Sequence, residues 1–299
     1  MFNSSVLIPI ISVIAYIIVA PIIGCLLAGI DRKITARMQG RVGPPILQPF
    51  YDMSKLMEKE PITVNKVQDF YVGCFLFFII VTGAFFFAGF DLLLIIFSLT
   101  LASVFLIVAA FSSNSPFSQI GAERELLQMM AYEPMVLITA IGLYLVTGSF
   151  EVGTIITPDP AMGMAIKFLP GIFIGFVFIL TIKFRKSPFD LSMSHHGHQE
   201  LVKGLTTEFS GKTMAYIEIA HWYENIFLLG FVFLFIANGT LWGVVLGVVV
   251  CLAAYFLEVL IDNCYARMKW QVAINSSWIV AITLGFVNLL IVYFSSFRL

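Results

Sequence analysis

"DLLLIIFSLTLASVFLIVAAF", residues 91–111, holds one ionisable side chain, the aspartate at its start. As a helix rising 1.5 Å per residue it measures about 31 Å, which matches the ~30 Å hydrocarbon core of a bilayer. Its continuous apolarity excludes a barrel strand, which alternates lipid-facing and lumen-facing residues. Runs of the same kind recur at about 5–30, 70–89, 126–147, 164–184, 214–237, 241–261 and 273–296. The chain of 299 residues is 60% hydrophobic and 12% charged, where a soluble domain carries about 25% charged residues. So little polar surface cannot cover so much apolar chain, and lipid is the expected solvent. The expected fold is an all-α polytopic membrane protein, one membrane domain over 1–299 with about eight transmembrane helices. The first apolar run is read as a retained helix, because it is too long for a signal-peptide core.

Charge sets the expected orientation. Of the seventeen Lys and Arg, all but Lys167 and Arg298 fall in the loops after spans one, three, five and seven or at their borders. The positive-inside rule puts those loops in the cytoplasm and both termini outside. Two of the loops, 31–69 and 185–213, exceed ordinary connector length, as functional loops do. In the first, Gly43-Pro44-Pro45 makes a rigid turn. Ile46, Leu47, Phe50, Met53, Leu56 and Met57 then recur at helical spacing beside Asp52, Lys55 and Lys59. That pattern predicts a short amphipathic helix on the membrane surface or against a partner.

Ionisable groups within the spans are the candidate site, since burying them in lipid is costly unless they serve a pathway. Glu123 and Glu125 open the fourth span and Glu133 lies deeper, while Gln128 and Tyr132 share the line of Glu125 along the helix. In the sixth, Glu218, His221 and Asn225 fall on one face with Glu224 beside it; in the seventh, Glu258 precedes Asp262 by one turn. Such a row of carboxyls and a histidine can pass protons in small steps. The plainer readings are that Glu123, Glu125 and Asp262 are solvated at the interface, and that His221 is a hydrogen-bonded packing residue. Cys25, Cys74, Cys251 and Cys264 are widely spaced with no CxxC pair, so no cluster or metal site is expected in this chain. His195, His196 and His198 lack a thiol or close acid to complete a metal site. No nucleophile constellation and no phosphate-binding glycine loop is present, so no catalytic residue and no nucleic-acid partner is expected.

Asp31-Arg32-Lys33 through Gly43-Pro44-Pro45, Leu47-Gln48-Pro49, Asp52, Lys55-Leu56 and Lys59-Glu60 resemble the first cytoplasmic loop of the respiratory complex I subunit 1 family. Pro188-Phe189-Asp190-Leu191, Glu200-Leu201-Val202, Gly204, Glu208 and Ser210-Gly211 resemble its other long loop, and the likeness extends over nearly the whole chain. Where quinone-reducing members carry a shorter acidic segment, this chain has "SMSHHGHQ". That variant, with "GPPILQPFYD" and "DNCYARMKW", looks like the membrane subunit of Ech-type, group 4 energy-converting [NiFe] hydrogenases. The resemblance implies an ion-coupling role for Glu123, Glu125, Glu133, Glu218 and Glu224. It also implies a partner-facing role for Arg32, Arg37, Arg41, Asp52, Lys55, Glu60, Asp190, the three loop histidines, Glu200 and Glu208. The implied partners are an iron–sulfur small subunit and a NiFe large subunit on the cytoplasmic side, an antiporter-like membrane subunit and, indirectly, ferredoxin. [4Fe–4S] clusters and the NiFe centre would lie in those partners, and the location would be a prokaryotic cytoplasmic membrane. The alternatives are a complex I quinone-chamber subunit, with its cavity between the first helix and the two long loops, a stand-alone cation transporter, and a purely structural anchor.

Overall fold

A computed structural model describes residues 4–60, 65–158, 163–189, 192 and 204–296. Among them seven helices are long and apolar enough to cross a membrane, and the molecule is a multi-pass, all-α membrane protein. In chain order the helices are α1 (Ser4–Met38), α2 (Gln48–Glu58), α3 (Lys66–Ala88), α4 (Leu92–Phe111), α5 (Pro116–Thr147) and α6 (Val152–Ile156). They continue as α7 (Pro170–Lys183), α8 (Gly211–Leu234), α9 (Leu241–Cys264), α10 (Trp270–Val280) and α11 (Val287–Ser296). A π-helix, Ala281–Phe286, joins the last two into one span.

Local chemistry sets the boundaries. Asp91 caps α4 by accepting from the amides of Leu93 and Leu94, and Thr240 caps α9 by accepting from Gly243. Gly89, at φ 86°, and Gly148, at φ 75°, close α3 and α5 in the left-handed conformation that glycine adopts without penalty. α1 runs on past the apolar stretch to Met38, and α5 starts at Pro116, well before its apolar stretch, so both helices carry polar turns at one end of the bundle. The amphipathic helix expected in the first long loop is α2, which packs against α8 and α1.

α7 departs from the expected pattern. The apolar stretch 164–184 holds a 14-residue helix preceded by a single 3-10 turn at Ala165–Lys167. At about 21 Å the helix is too short to cross a bilayer alone. Its leading end lies beside the end of α8, where the Ile166 amide donates to the Phe235 carbonyl at 2.9 Å. Its other end reaches Glu224, thirteen residues into α8, so α7 stops well inside the bundle. The chain after it does not leave: Ser187, Pro188, Phe189, Ser192, Leu205, Thr206 and Phe209 are all buried. Ser118 donates to the Leu205 carbonyl at 3.4 Å, the Leu205 amide donates to the Ser192 carbonyl at 3.0 Å, and Gln128 donates to the Phe189 carbonyl. A β-carbon on Gly121 would stand 2.2 Å from the Leu205 amide, so only glycine admits this approach. The segment read from sequence as a cytoplasmic loop therefore folds back, in its described parts, among the helices. Irregular backbone at such depth is stable only when protein buries it or it lines a cavity.

The leading end of α7 is capped from elsewhere in the chain. Leu169 offers no capping side chain, and the amides of Gly171 and Ile172 donate instead to Asn288 Oδ1 at 3.1 and 3.2 Å. Asn288 Nδ2 in turn donates to the Phe168 carbonyl at 3.2 Å. The π-helix just before Asn288 presses close, for a β-carbon on Gly171 would meet the Leu284 carbonyl at 2.7 Å.

Asn288→Ala should cost about 1 kcal/mol, the usual worth of a cap, read as a lower thermal-unfolding midpoint in detergent; Asn288→Asp keeps the acceptor and should lose less. A pH effect is expected at α2, which is held to α1 by Arg32 donating to Asp52 at 2.7 Å, with Gln48 donating to the same carboxylate at 2.7 Å. Partial burial pushes the Asp52 carboxyl up, and the hydrogen bonds from Arg32 and Gln48 outweigh it, leaving the group below its ordinary range. The tether is then complete above the unfolded aspartate value of about 3.9 and is lost as pH falls through the lower native one. Amide protection over 48–58, normalised to the unfolded-chain exchange rate, should hold from neutral pH down to that value and fall only below it.

Candidate functional site

The space left beneath the short α7 is a cavity of about 420 Å³. Its walls come from α1 (Asp31, Arg32), the turn after α7 (Arg185, Lys186), α8 (Glu218, His221, Glu224, Asn225) and α9 (Tyr255, Asp262).

Arg185 organises one wall. It leaves α7 at φ 53°, in the left-handed region that costs a non-glycine residue about 1–2 kcal/mol. That turn aims its guanidinium inward, to Glu125 Oε1 at 3.0 Å, Glu224 Oε2 at 3.8 Å and the His221 ring at 2.8 Å. Lys183 donates to Glu224 Oε1 at 3.2 Å and stands 4.2 Å from the centre of the Tyr132 ring. Ser192 donates to Glu125 Oε2, Glu224 lies 3.4 Å from His221 Nδ1, and the Tyr132 and Ser103 hydroxyls are 3.4 Å apart. Two cations thus face two carboxylates, all four side chains nearly closed to the surroundings, with the His221 ring against Arg185 and Glu224. Isolated charges at such depth would cost several kcal/mol each, and mutual neutralisation offsets that cost.

The opposite wall carries a second cluster. Lys186 pairs with Asp31 and stands 3.6 Å from Asp262 Oδ2, while Asp262 Oδ1 accepts from the Ser187 amide at 2.8 Å. Behind it on α9, Glu258 has 0% of its surface exposed, and neither of its oxygens has a hydrogen-bond partner among the described residues.

Of the sequence candidates, Glu125, His221 and Glu224 converge on Arg185, with His221 and Glu224 also in direct contact, Glu218 is half-buried on the cavity wall, and Asp262 lies across from them. Glu125 and Asp262 are engaged in ion pairs rather than freely solvated. Glu133, on α5, is half-buried and makes no hydrogen bond or ion pair with the network among the described residues, although the charge of Lys183 acts on it; Glu123 is exposed. Arg32 and Asp52 join α1 to α2, whereas Arg37, Arg41, Lys55 and Glu60 are exposed and Glu208 is half-buried just ahead of α8. Asp190, His195, His196, His198 and Glu200 lie outside the described residues. Sequence reasoning counted Lys183, Arg185 and Lys186 only toward orientation and missed them as the cations of the site. The available signal was "KFRKSPF", three basic residues closing an apolar run that Pro170 interrupts, so that only a short helix precedes them.

Lys183→Met should leave Glu224 buried with less than its full charge compensated and destabilise the protein by about 3–5 kcal/mol. Lys183→Met combined with Glu224→Leu removes both members of the pair and should recover much of that loss. Thermal unfolding of the single and double variants in detergent measures both.

The model of the NADH dehydrogenase family matches residues 11–293 of this chain. Among curated relatives, Hydrogenase-4 component C of Escherichia coli (strain K12) is 26% identical over 277 residues, covering 85% of this chain and 87% of that one. NADH-ubiquinone oxidoreductase chain 1 of Paracentrotus lividus is 30% identical over 230 residues, covering 71% and 70%. Among solved structures, a chain of the membrane-bound sulfane sulfur reductase, an archaeal respiratory membrane complex, superposes with a TM-score of 0.84 at 25% identity. The superposition covers 95% of this chain and 99% of that one. These relatives are named as components or chains of larger assemblies, and the matched family runs almost from end to end of the sequence. The buried ion network and its cavity therefore sit in a membrane subunit, and the chain belongs to the NADH dehydrogenase family, that of complex I subunit 1.

Proposed function

We propose that this chain anchors a [NiFe]-hydrogenase module in the membrane and couples ferredoxin-driven H₂ evolution to the movement of H⁺ or Na⁺. The observation that carries the coupling role is the Arg185–Glu125–Glu224–Lys183 network around His221, set against a polar cavity at the mid-depth of the bundle. Charges held this way respond to a nearby change of charge by shifting protons or exchanging partners, which a purely structural anchor has no use for. The hydrogenase branch is supported by the histidine-bearing segment "SMSHHGHQ" and by the likeness to a hydrogenase-4 component.

In this reading the end of the bundle that bears Arg37, Arg124 and Cys264 faces the cytoplasm, with both termini outside. The iron–sulfur small subunit and the NiFe large subunit dock there and carry the clusters. Charge arriving at the last cluster perturbs Glu218 at the cavity, and the paired groups behind it pass the disturbance toward an antiporter-like neighbour. A quinone headgroup would have to displace part of a lining that holds eight charged side chains, Asp31, Arg32, Lys183, Arg185, Lys186, Glu218, Glu224 and Asp262. That lining suits water and ions better than an apolar tail.

The test is ferredoxin-driven H₂ evolution by inverted membrane vesicles, with cation uptake followed in parallel, for wild type and Glu218→Gln. The expected outcome is H₂ evolution from both and uptake from wild type alone. Unchanged uptake in Glu218→Gln would remove that residue from the pathway. If wild type evolves no H₂ and an added quinone restores electron flow, the quinone-reductase assignment replaces this one.

A further inference from the structure

Glu258 takes no part in the network that Arg185 organises, yet its surroundings are unusual for a carboxyl group. Tyr255 and Asp262, three residues before it and four after, both line the cavity, so Glu258 lies between them on the same face of α9, one layer behind the wall. The residues of α9 on either side of it belong to the interior: Tyr255 and Val259 pack with Leu27 of α1 and Leu229 of α8 in a small buried cluster. The Tyr255 hydroxyl donates to the Leu27 carbonyl at 3.4 Å and so is turned away from the carboxyl. A carboxylate in that place would be a fully buried charge with no hydrogen-bond partner among the described residues, which costs far more than the neutral acid.

The charged groups around it are few. Lys186 is the cation that acts on Glu258 and Asp262 the acid that does. Lys186 is shared in turn between Asp262 and Asp31. One cation thus serves two carboxylates at the cavity wall, with a third acid waiting one helical turn behind them.

We propose that Glu258 is a proton store behind the cavity wall, exchanging its proton with the cavity by way of Asp262 while Lys186 moves between their carboxylates. One cavity water carries the transfer. The Oε–H bond of Glu258 breaks as the water takes that proton, and the water gives one of its own to the Asp262 carboxylate. Lys186 stays an ammonium throughout and turns from the neutralised Asp262 toward the new Glu258 carboxylate. This gives the cavity a second, α9-side branch, independent of Glu125 and Glu224 across from it. The proposal rests on the ion-coupling role given above.

Infrared difference spectroscopy of the intact purified complex tests the store without reference to the electron acceptor. A carbonyl band of a protonated carboxylic acid should appear in wild type and shift on exchange into D₂O. It should be missing from both Glu258→Gln and Glu258→Leu. The leucine variant suits a fully buried position and guards against a glutamine that fails to pack. In vesicles, cation uptake per H₂ should fall at least twofold in Glu258→Leu. A band that survives in both variants, or a leucine variant with the wild-type ratio of uptake to H₂, overturns the proposal. Wild-type vesicles that take up no cation would instead overturn the coupling role, leaving the infrared result to judge the store alone.

Discussion

Everything around the cavity depends on holding Arg185 and Lys183 inside the bundle without leaving either charge alone. Two cations at the end of an apolar helix would ordinarily extend to the membrane surface. Here α7 is too short to bring them there, and the backbone at Arg185 turns left-handed to send its side chain inward. The carboxylates that receive them sit well along α5 and α8, so those helices must pass beside the end of α7 at fixed height and rotation. The chain that follows must then stay within the bundle, because Ser192 completes the coordination of Glu125 from the far side. The burial of Ser187, Pro188, Phe189, Ser192, Leu205, Thr206 and Phe209 is the structural consequence of that one electrostatic requirement.

The helices were legible in the sequence because lipid imposes a simple rule: long apolar runs become spans. The line of Glu125, Gln128 and Tyr132 on α5, and the shared face of Glu218, His221 and Asn225 on α8, followed from helical periodicity alone. α7 was not legible in the same way. A run of apolar residues reports that a segment avoids water, and 164–184 does so whether it crosses as one helix or as a 3-10 turn and a short helix. Pro170 and the basic cluster at 183–186 marked its true limits, but the proline was not used and the cluster was read only for orientation. The partners of Lys183, Arg185 and Lys186 lie 36 to 155 residues away in sequence, and no local pattern encodes them.

The two walls of the cavity show different solutions to one problem. On the α5 and α8 side, cations and carboxylates neutralise each other in a closed set. On the α1 and α9 side, a single lysine divides its charge between two acids, and Glu258 has no hydrogen-bond partner among the described residues. The first arrangement is rigid because each member needs the others. The second has slack, since Lys186 can favour one acid over the other at small cost.

The cap on α7 also bears on how the chain is made. The amides of Gly171 and Ile172 find their acceptor 117 and 116 residues later, near the end of the last span. At the other end, Lys183 waits 41 residues for Glu224. Until α8 is made Lys183 lacks that partner, and until the last span is made the amides of Gly171 and Ile172 lack Asn288. The cap on α7 therefore forms after every residue that lines the cavity has been made, the latest of them Asp262.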